Sequence, residues 1–216
     1  MAEATAGAGT RKLRAARTEA ALKEAGLRVF ARVGYLNAKI TDITTEAGRA
    51  AGSFYSHFAG KEELLEALLV DLLAEADETA AGPGHSDDFT DLAAVRWHVA
   101  AFWRLFRAHR PVMIALNQAA MVDARFADRL REILTPDVAH LAGHLRHVTA
   151  AGGELPGDPL VVASAISALL WQAAYAWQTR GAGDVGRTLP DDEAIDTLAR
   201  LIHRGVVGAG GFVAGG

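Results

Sequence analysis

The sequence predicts an all-α protein in which three short helices precede a larger helical part. Three observations carry this. Apolar residues recur at helical spacing through most of the 216 residues, half of which are hydrophobic. Gly34, Gly48, Gly60, Pro111, Pro159 and Gly152 fall at the edges of those runs. No run alternates apolar and polar residues as a half-buried strand does. The chain has no cysteine, so it has neither a disulfide framework nor a thiolate metal site, which fits a reducing cytoplasm. Its first twenty residues are Ala/Gly-rich and basic without an apolar core, unlike a signal peptide. The nearest approach to a membrane span, Leu160 to Trp177, is interrupted by Ser164, Ser167 and Gln172, so no membrane partner is expected.

Residues 1–16 lack apolar periodicity and read as a flexible basic arm. From Arg17, the positions Leu22, Ala25, Val29, Phe30 and Val33 define a first helix that stops at Gly34. Ile40, Ile43 and Ala47 mark a short second helix ended by Gly48. Arg49 and Ala50 turn into a third helix, anchored by Phe54 and Phe58 and ended by Gly60. "KEELLEALLVDLLAEADE" follows, its leucines forming one broad stripe behind the acidic first-turn residues Glu62 and Glu63. "AAGPGHSDD", residues 80–88, reads as a linker. Beyond it, helices are expected at 88–108, 110–121, 124–134, 136–150, 158–180 and 190–207, with Pro111, Pro136 and Pro159 near starts and Gly152 and Gly181 after ends. The tail 209–216 is expected to fray.

Charge is unevenly placed. Residues 1–62 hold ten Lys/Arg against six Asp/Glu, whereas residues 63–216 hold twelve against twenty. A polyanion would therefore be met at the N-terminal end. Three short helices, the last two joined by a tight turn at Gly48, make a helix-turn-helix unit whose third helix suits a DNA major groove. Ala50, Ala51 and Gly52 leave that helix a bare leading edge for close approach, with backbone N–H groups facing phosphate. Ser53, Tyr55, Ser56 and His57 carry donors for phosphates or base edges. Lys61 places a cation where a helix dipole is already positive, which points to an external anion. Each has a blander reading: Ser53 as a cap, Tyr55 and His57 as exposed neighbours, Lys61 as a solvated lysine.

The joint spacing is specific. Phe30-x-x-x-Gly34-Tyr35, Asp42-Ile43, Ala47-Gly48 and the run "GSFYSHFAGKEEL" make residues 18–69 resemble the DNA-binding domain of the TetR family of bacterial transcriptional regulators. The resemblance implies an N-terminal three-helix helix-turn-helix DNA-binding domain, residues 17–62, and a larger helical effector-binding and dimerisation domain, residues 63–208. It places Ser53, Tyr55, His57 and Lys61 at contact positions, mostly to phosphate, with Lys39, Thr41 and Ala51 nearby. The chain departs from the pattern before the second helix, where Ala38 and Lys39 leave the N-cap to Asn37 or Thr41. Arg49 stands where the family has an aliphatic residue and suggests an added backbone contact; base discrimination would lean on Arg49, Lys39 or DNA shape.

By the same resemblance, the 158–180 and 190–207 helices form a four-helix homodimer interface. The first is apolar nearly all round, with Ala165, Ala168 and Ala176 permitting close approach. Trp103, Phe106, Met113, Asn117, Met121, Trp171 and Tyr175 are candidate walls for a small apolar or aromatic effector, or alternatively ordinary core. His140, His144 and His147 share one helix face, but a polar solvent face explains the trio without a metal. No catalytic constellation and no cofactor motif emerges, so an enzyme is not expected. The expected function is a cytoplasmic, dimeric, ligand-responsive regulator, most simply a repressor of a palindromic double-stranded DNA operator. The rivals are an activator, or a helical small-molecule-binding protein or enzyme with a vestigial helix-turn-helix.

Overall fold

The computed structural model describes residues 2–179 and 185–207, with side chains from Arg11 onward. Among the described residues there are nine helices and no strand. They are α1 (Ala2–Asn37), α2 (Ile40–Glu46), α3 (Ala51–Tyr55), α4 (Lys61–Ala80), α5 (Leu92–Ala108), α6 (Arg110–Val122), α7 (Ala124–Ala150), α8 (Pro159–Thr179) and α9 (Asp191–Val207). The expected tail 209–216 and Gly181 lie outside the described residues.

Helix boundaries follow local chemistry. α1 extends through the stretch read as an arm, because alanine, lysine and arginine favour helix even without an apolar stripe. Its regular part ends at Gly34, whose φ of 73° is open to glycine and strained for other residues. Aspartates set three later starts. Asp91 accepts from Ala93 N–H at 2.8 Å, Asp123 from Arg125 N–H at 2.9 Å, and Asp158 from Leu160 N–H at 2.9 Å. The Asp91 cap explains why α5 begins at Leu92 rather than near residue 88. The break expected before Pro136 does not occur: α7 runs straight through it. The proline ring forfeits one hydrogen bond, and beside it Thr135 Oγ1 donates to the Arg131 carbonyl at 2.8 Å.

By packing, the chain divides into two units: Met1–Leu73 with Pro111–Leu130, and Ala74–Arg110 with Arg131–Gly216. The division differs from the sequence-read boundary at residue 62. Leu64, Leu65, Leu68, Leu69 and Leu72 of α4 are buried, and α4 meets α1 where Gly26 leaves no room for a side chain. A Cβ at Gly26 would stand 2.8 Å from Leu64 Cδ2. The early part of α4 and all but the first residue of α6 thus belong with the first three helices.

In the second unit α5 packs along α9 and also meets α8. Trp103 Nε1 donates to Asp191 at 2.9 Å, Arg96 Nε to Asp196 at 2.6 Å, and Gln178 Nε2 to the Trp103 carbonyl at 3.2 Å. α8 corrects one expectation: its 21 residues are long and apolar enough, by length and composition, to cross a membrane. Ser167, expected to interrupt that run, is internally satisfied, since its Oγ donates to the Ala163 carbonyl at 2.9 Å. Only 22% of the apolar span is buried by the chain's own fold.

Candidate nucleic-acid interface

Within the first unit, α2, the Gly48 turn and α3 form the helix-turn-helix. Ile43, Phe54 and Phe58 are buried and seat the two helices, with Phe54 and Phe58 rings 5.6 Å apart. Gly48 adopts φ 61°, and Arg49 N–H donates to the Thr44 carbonyl at 2.9 Å, closing the end of α2. Neither residue expected to cap α2 does so. The cap is Lys39, whose backbone N–H donates to Asp42 Oδ2 at 3.1 Å, while Asn37 Nδ2 donates back to the Val33 carbonyl. An acid at the third helical position thus replaces a capping side chain.

α2 is pinned to α1 by Glu46, which accepts from Arg28 at 2.7 Å and Arg32 at 3.1 Å. The Arg28 bond first, then the Arg32 bond, hold its carboxyl below the ordinary range. Lys23 is paired with Asp71 at 3.0 Å. These pairings remove Arg28, Arg32 and Lys23 from the basic excess. The exposed Lys39, Arg49, Arg11, Lys12, Arg14 and Arg17 have no ion pair among the described residues.

Every expected contact residue is exposed or half-buried. Tyr55 is 61% exposed, its ring braced edge-on against Phe54 at 5.7 Å. Ser53, Thr41 and His57 have side-chain donors without a hydrogen-bond partner among the described residues. Ala51 and Gly52 are exposed, and a Cβ at Gly52 would meet nothing within 4 Å, so the chain's own packing does not require glycine there. Ser56 differs: its hydroxyl donates back to the Gly52 carbonyl at 3.2 Å.

Lys61 departs furthest from expectation. Its ammonium donates to the carbonyls of Tyr35 at 2.9 Å and Ala38 at 3.4 Å, and lies 4.3 Å from the centre of the Tyr35 ring. The compensation for a cation at a helix start is internal: the carbonyl-rich end of α1. Tyr35, which the sequence marks only as part of the family pattern and gives no contact role, is the hub of this junction. Its hydroxyl donates to Glu62 at 2.7 Å, and its N–H donates to Gln118 of α6 at 3.2 Å. Burial, reinforced by Glu62, pushes the Tyr35 hydroxyl far above its ordinary pKa, so it stays a donor.

The candidate effector residues are drawn from both units. Trp103, Phe106, Trp171 and Tyr175 lie in the second unit, with the Phe106 and Trp171 rings edge-on at 6.0 Å. Met113, Asn117 and Met121 lie in the first, where Met113 is buried and Met121 is 81% exposed, so Met121 walls no enclosed space in this structure. Of the histidine trio, His144 is buried with the His140 ring 4.8 Å from its own, whereas His140 and His147 are exposed.

Comparison with known proteins agrees with this geometry. The model of the bacterial regulatory proteins of the tetR family matches residues 22–68. A probable HTH-type transcriptional regulator, ArpR of Pseudomonas putida, is 34% identical over 194 residues, 87% of each chain. The chain belongs to the TetR family. A second HTH-type transcriptional regulator of Pseudomonas putida, TtgR, is 38% identical over 80 residues, 37% of this chain and 38% of its own. Among solved structures, FadR of Bacillus subtilis in complex with stearoyl-CoA has a TM-score of 0.68 at 16% identity, covering 87% of this chain and 96% of its own. The fatty acid degradation regulator FadR of Bacillus halodurans has a TM-score of 0.66 at 16% identity, covering 92% and 97%. This TetR-family chain is a ligand-responsive, DNA-binding transcriptional regulator.

Proposed function

We propose that the regulator is a cytoplasmic homodimer that represses transcription by holding a palindromic operator, and that a small apolar or aromatic effector releases it. The observation that carries the DNA reading is the set of unspent donors on one helix-turn-helix: Lys39, Thr41, Arg49, Ser53, Tyr55 and His57, beside the bare edge at Ala51 and Gly52. Phosphate contacts from these groups fix the register, and α3 enters the major groove. Lys61 contributes chiefly by position, locking α4 to the end of α1, with one N–H left for a phosphate.

Dimerisation is supported by what α8 and α9 leave uncovered. Leu160 is 53%, Val161 66% and Leu201 57% exposed, and Ala165 and Ala168 share the less buried face of α8. Between the helices runs an open apolar groove of about 270 Å³, lined by residues that include Val161, Leu169, Leu201 and Val206. A second copy laid on this face would bury on the order of 2,000 Å². That cover also explains an apolar helix on a chain that works on DNA. In the dimer, two recognition helices about 34 Å apart meet successive major grooves.

For the effector, Phe106, Trp171 and Tyr175 supply an aromatic wall. The stearoyl-CoA held by the Bacillus subtilis neighbour favours an effector with a long apolar portion. The ligand acts only through its difference in affinity between DNA-competent and released forms. The regulator names of the relatives favour this reading over an enzyme with a vestigial helix-turn-helix. Selection of bound DNA from a random pool, repeated with acyl and aromatic ligands, tests it. A palindromic consensus lost on addition of one ligand class is expected; recovery of no enriched sequence would refute it.

A further inference from the structure

A second polar constellation sits in the second unit and takes no part in the DNA-facing surface or the aromatic effector wall. His85 comes from the loop after α4, His98 from α5 and His144 from α7. One ring nitrogen from each lies within 4.8 Å of the other two. The residues are far apart in sequence, so helical spacing groups His144 with other companions.

Hydrogen bonds decide which nitrogens are free. His98 Nδ1 lies 2.9 Å from the Ala94 carbonyl, which only accepts, so Nδ1 carries the proton and Nε2 the lone pair. That Nε2 is buried and has no hydrogen-bond partner. His144 Nδ1 lies 3.1 Å from Asp87 Oδ1, which likewise leaves its Nε2 as an acceptor. The same oxygen stands 3.5 Å from His85 Nε2, leaving Nδ1 of that ring. A histidine that gives one N–H to a carbonyl or carboxylate and turns its other nitrogen inward has the arrangement found around bound metals.

The surroundings reinforce this. Phe89 stacks on His144 at 5.4 Å, and Trp97 stands edge-on to His85 and His98 at 5.1 and 5.0 Å. Burial, assisted by the neighbouring His98, pushes His144 down to about 4 against the opposing pull of Asp87, and burial lowers His98 too. Neutral imidazole is the metal-binding form. Plain aromatic packing would account for the rings but not for three ring nitrogens gathered within 4.8 Å beside a His98 Nε2 that is orphaned in the interior.

We propose that His85, His98 and His144 form a binding site for a divalent first-row transition-metal ion, with Asp87 as the outer carboxylate that orients two of the rings and a fourth position open to water. Three imidazoles without thiolate or clustered carboxylates select Zn²⁺, Ni²⁺, Co²⁺ or Cu²⁺ over Mg²⁺ and Ca²⁺. A tetrahedral ion with bonds of about 2.0–2.1 Å holds its nitrogens about 3.4 Å apart, so side-chain rotations of little more than about 1 Å close the cluster onto it. Binding ties the loop after α4 to α5 and α7.

The test uses the untagged full chain, stripped with chelator and titrated with Co²⁺ while its d–d absorption is followed, then with Zn²⁺. One ion per chain is expected, with a nitrogen-rich, low-coordinate Co²⁺ spectrum that Zn²⁺ abolishes. His85→Ala and His98→Gln should each weaken binding roughly tenfold or more, whereas His147→Ala should leave it unchanged. His85 sits in a loop, so its variant keeps the fold, which circular dichroism checks. Failure to retain Co²⁺ at micromolar concentration, or equal binding by His85→Ala, would overturn the site. No DNA enters this test, so its outcome is separate from the operator reading.

Discussion

Lys61→Met removes the ammonium while keeping the apolar stem, and the structure gives the size of the effect. The bond to the Tyr35 carbonyl, 2.9 Å long, is charge-assisted; such bonds contribute about 1.5–3 kcal/mol, and partial exposure of Lys61 sets the low end. The 3.4 Å bond to Ala38 adds little. The contact with the Tyr35 ring, at 4.3 Å, adds about 0.5–1 kcal/mol. The expected loss is about 2 kcal/mol, equivalent to roughly 4–8 °C in Tm for a chain of this size. Urea unfolding at unchanged m-value measures it. In parallel, operator affinity against salt separates the two roles of the residue: one lost phosphate contact per protomer lowers the slope by about 0.9 per site. Stability equal to wild type within about 0.5 kcal/mol would refute the internal-clamp account, since a lysine aimed only at phosphate does not stabilise the free protein.

Tyr55→Phe should weaken operator binding without changing urea stability, because the hydroxyl of this exposed residue has no partner among the described residues; equal affinity in a polarisation titration would remove Tyr55 from the interface. Gly52→Ala should leave the fold intact or stabilise it by up to about 1 kcal/mol, yet lose affinity for DNA, since nothing in the chain lies within 4 Å of the added Cβ; unchanged affinity would mean that the bare edge is not a contact. Leu201→Glu should convert the dimer to monomer in sedimentation velocity, by placing a charge on the exposed α8–α9 face; a persistent dimer would locate the interface elsewhere. Glu46, whose pKa is depressed by Arg28 and Arg32, contributes stability that is complete above about pH 4.3 and is lost as pH falls through its lower folded value. Glu46→Gln should therefore flatten the acid limb of the stability curve, and an unchanged limb would contradict the pairing.

Local patterns are legible where local chemistry decides. Gly34, Gly48 and the Phe54–Phe58 pair mark helix ends and the seat of α3 because backbone sterics and i, i+4 spacing act over a few residues. What the sequence conceals depends on distant partners. The fate of Lys61 is settled by carbonyls 26 and 23 residues away, and Gln118 meets Tyr35 across 83 positions. The α2 cap escapes a sequence reading because a backbone N–H bonded to Asp42 leaves no trace at position 39 itself. His144 reads as part of a helical face with His140, whose ring is indeed 4.8 Å away, whereas its other histidine neighbours, His85 and His98, come from a loop and another helix. Pro136 reads as a start because its local cost is real, and only the continuous α7 shows that it is absorbed.

The most direct test of the central claim is operator affinity measured as a function of salt, for the wild type and for Lys39→Ala and Arg49→Ala. With those two cations and the spare N–H of Lys61 on each of two protomers, about six phosphates are neutralised, which gives a slope of log affinity against log salt of about −5. Each variant should reduce its magnitude by about 2 across the dimer. A slope shallower than about −1, or slopes identical in all three proteins, would contradict a helix-turn-helix that meets DNA through this face.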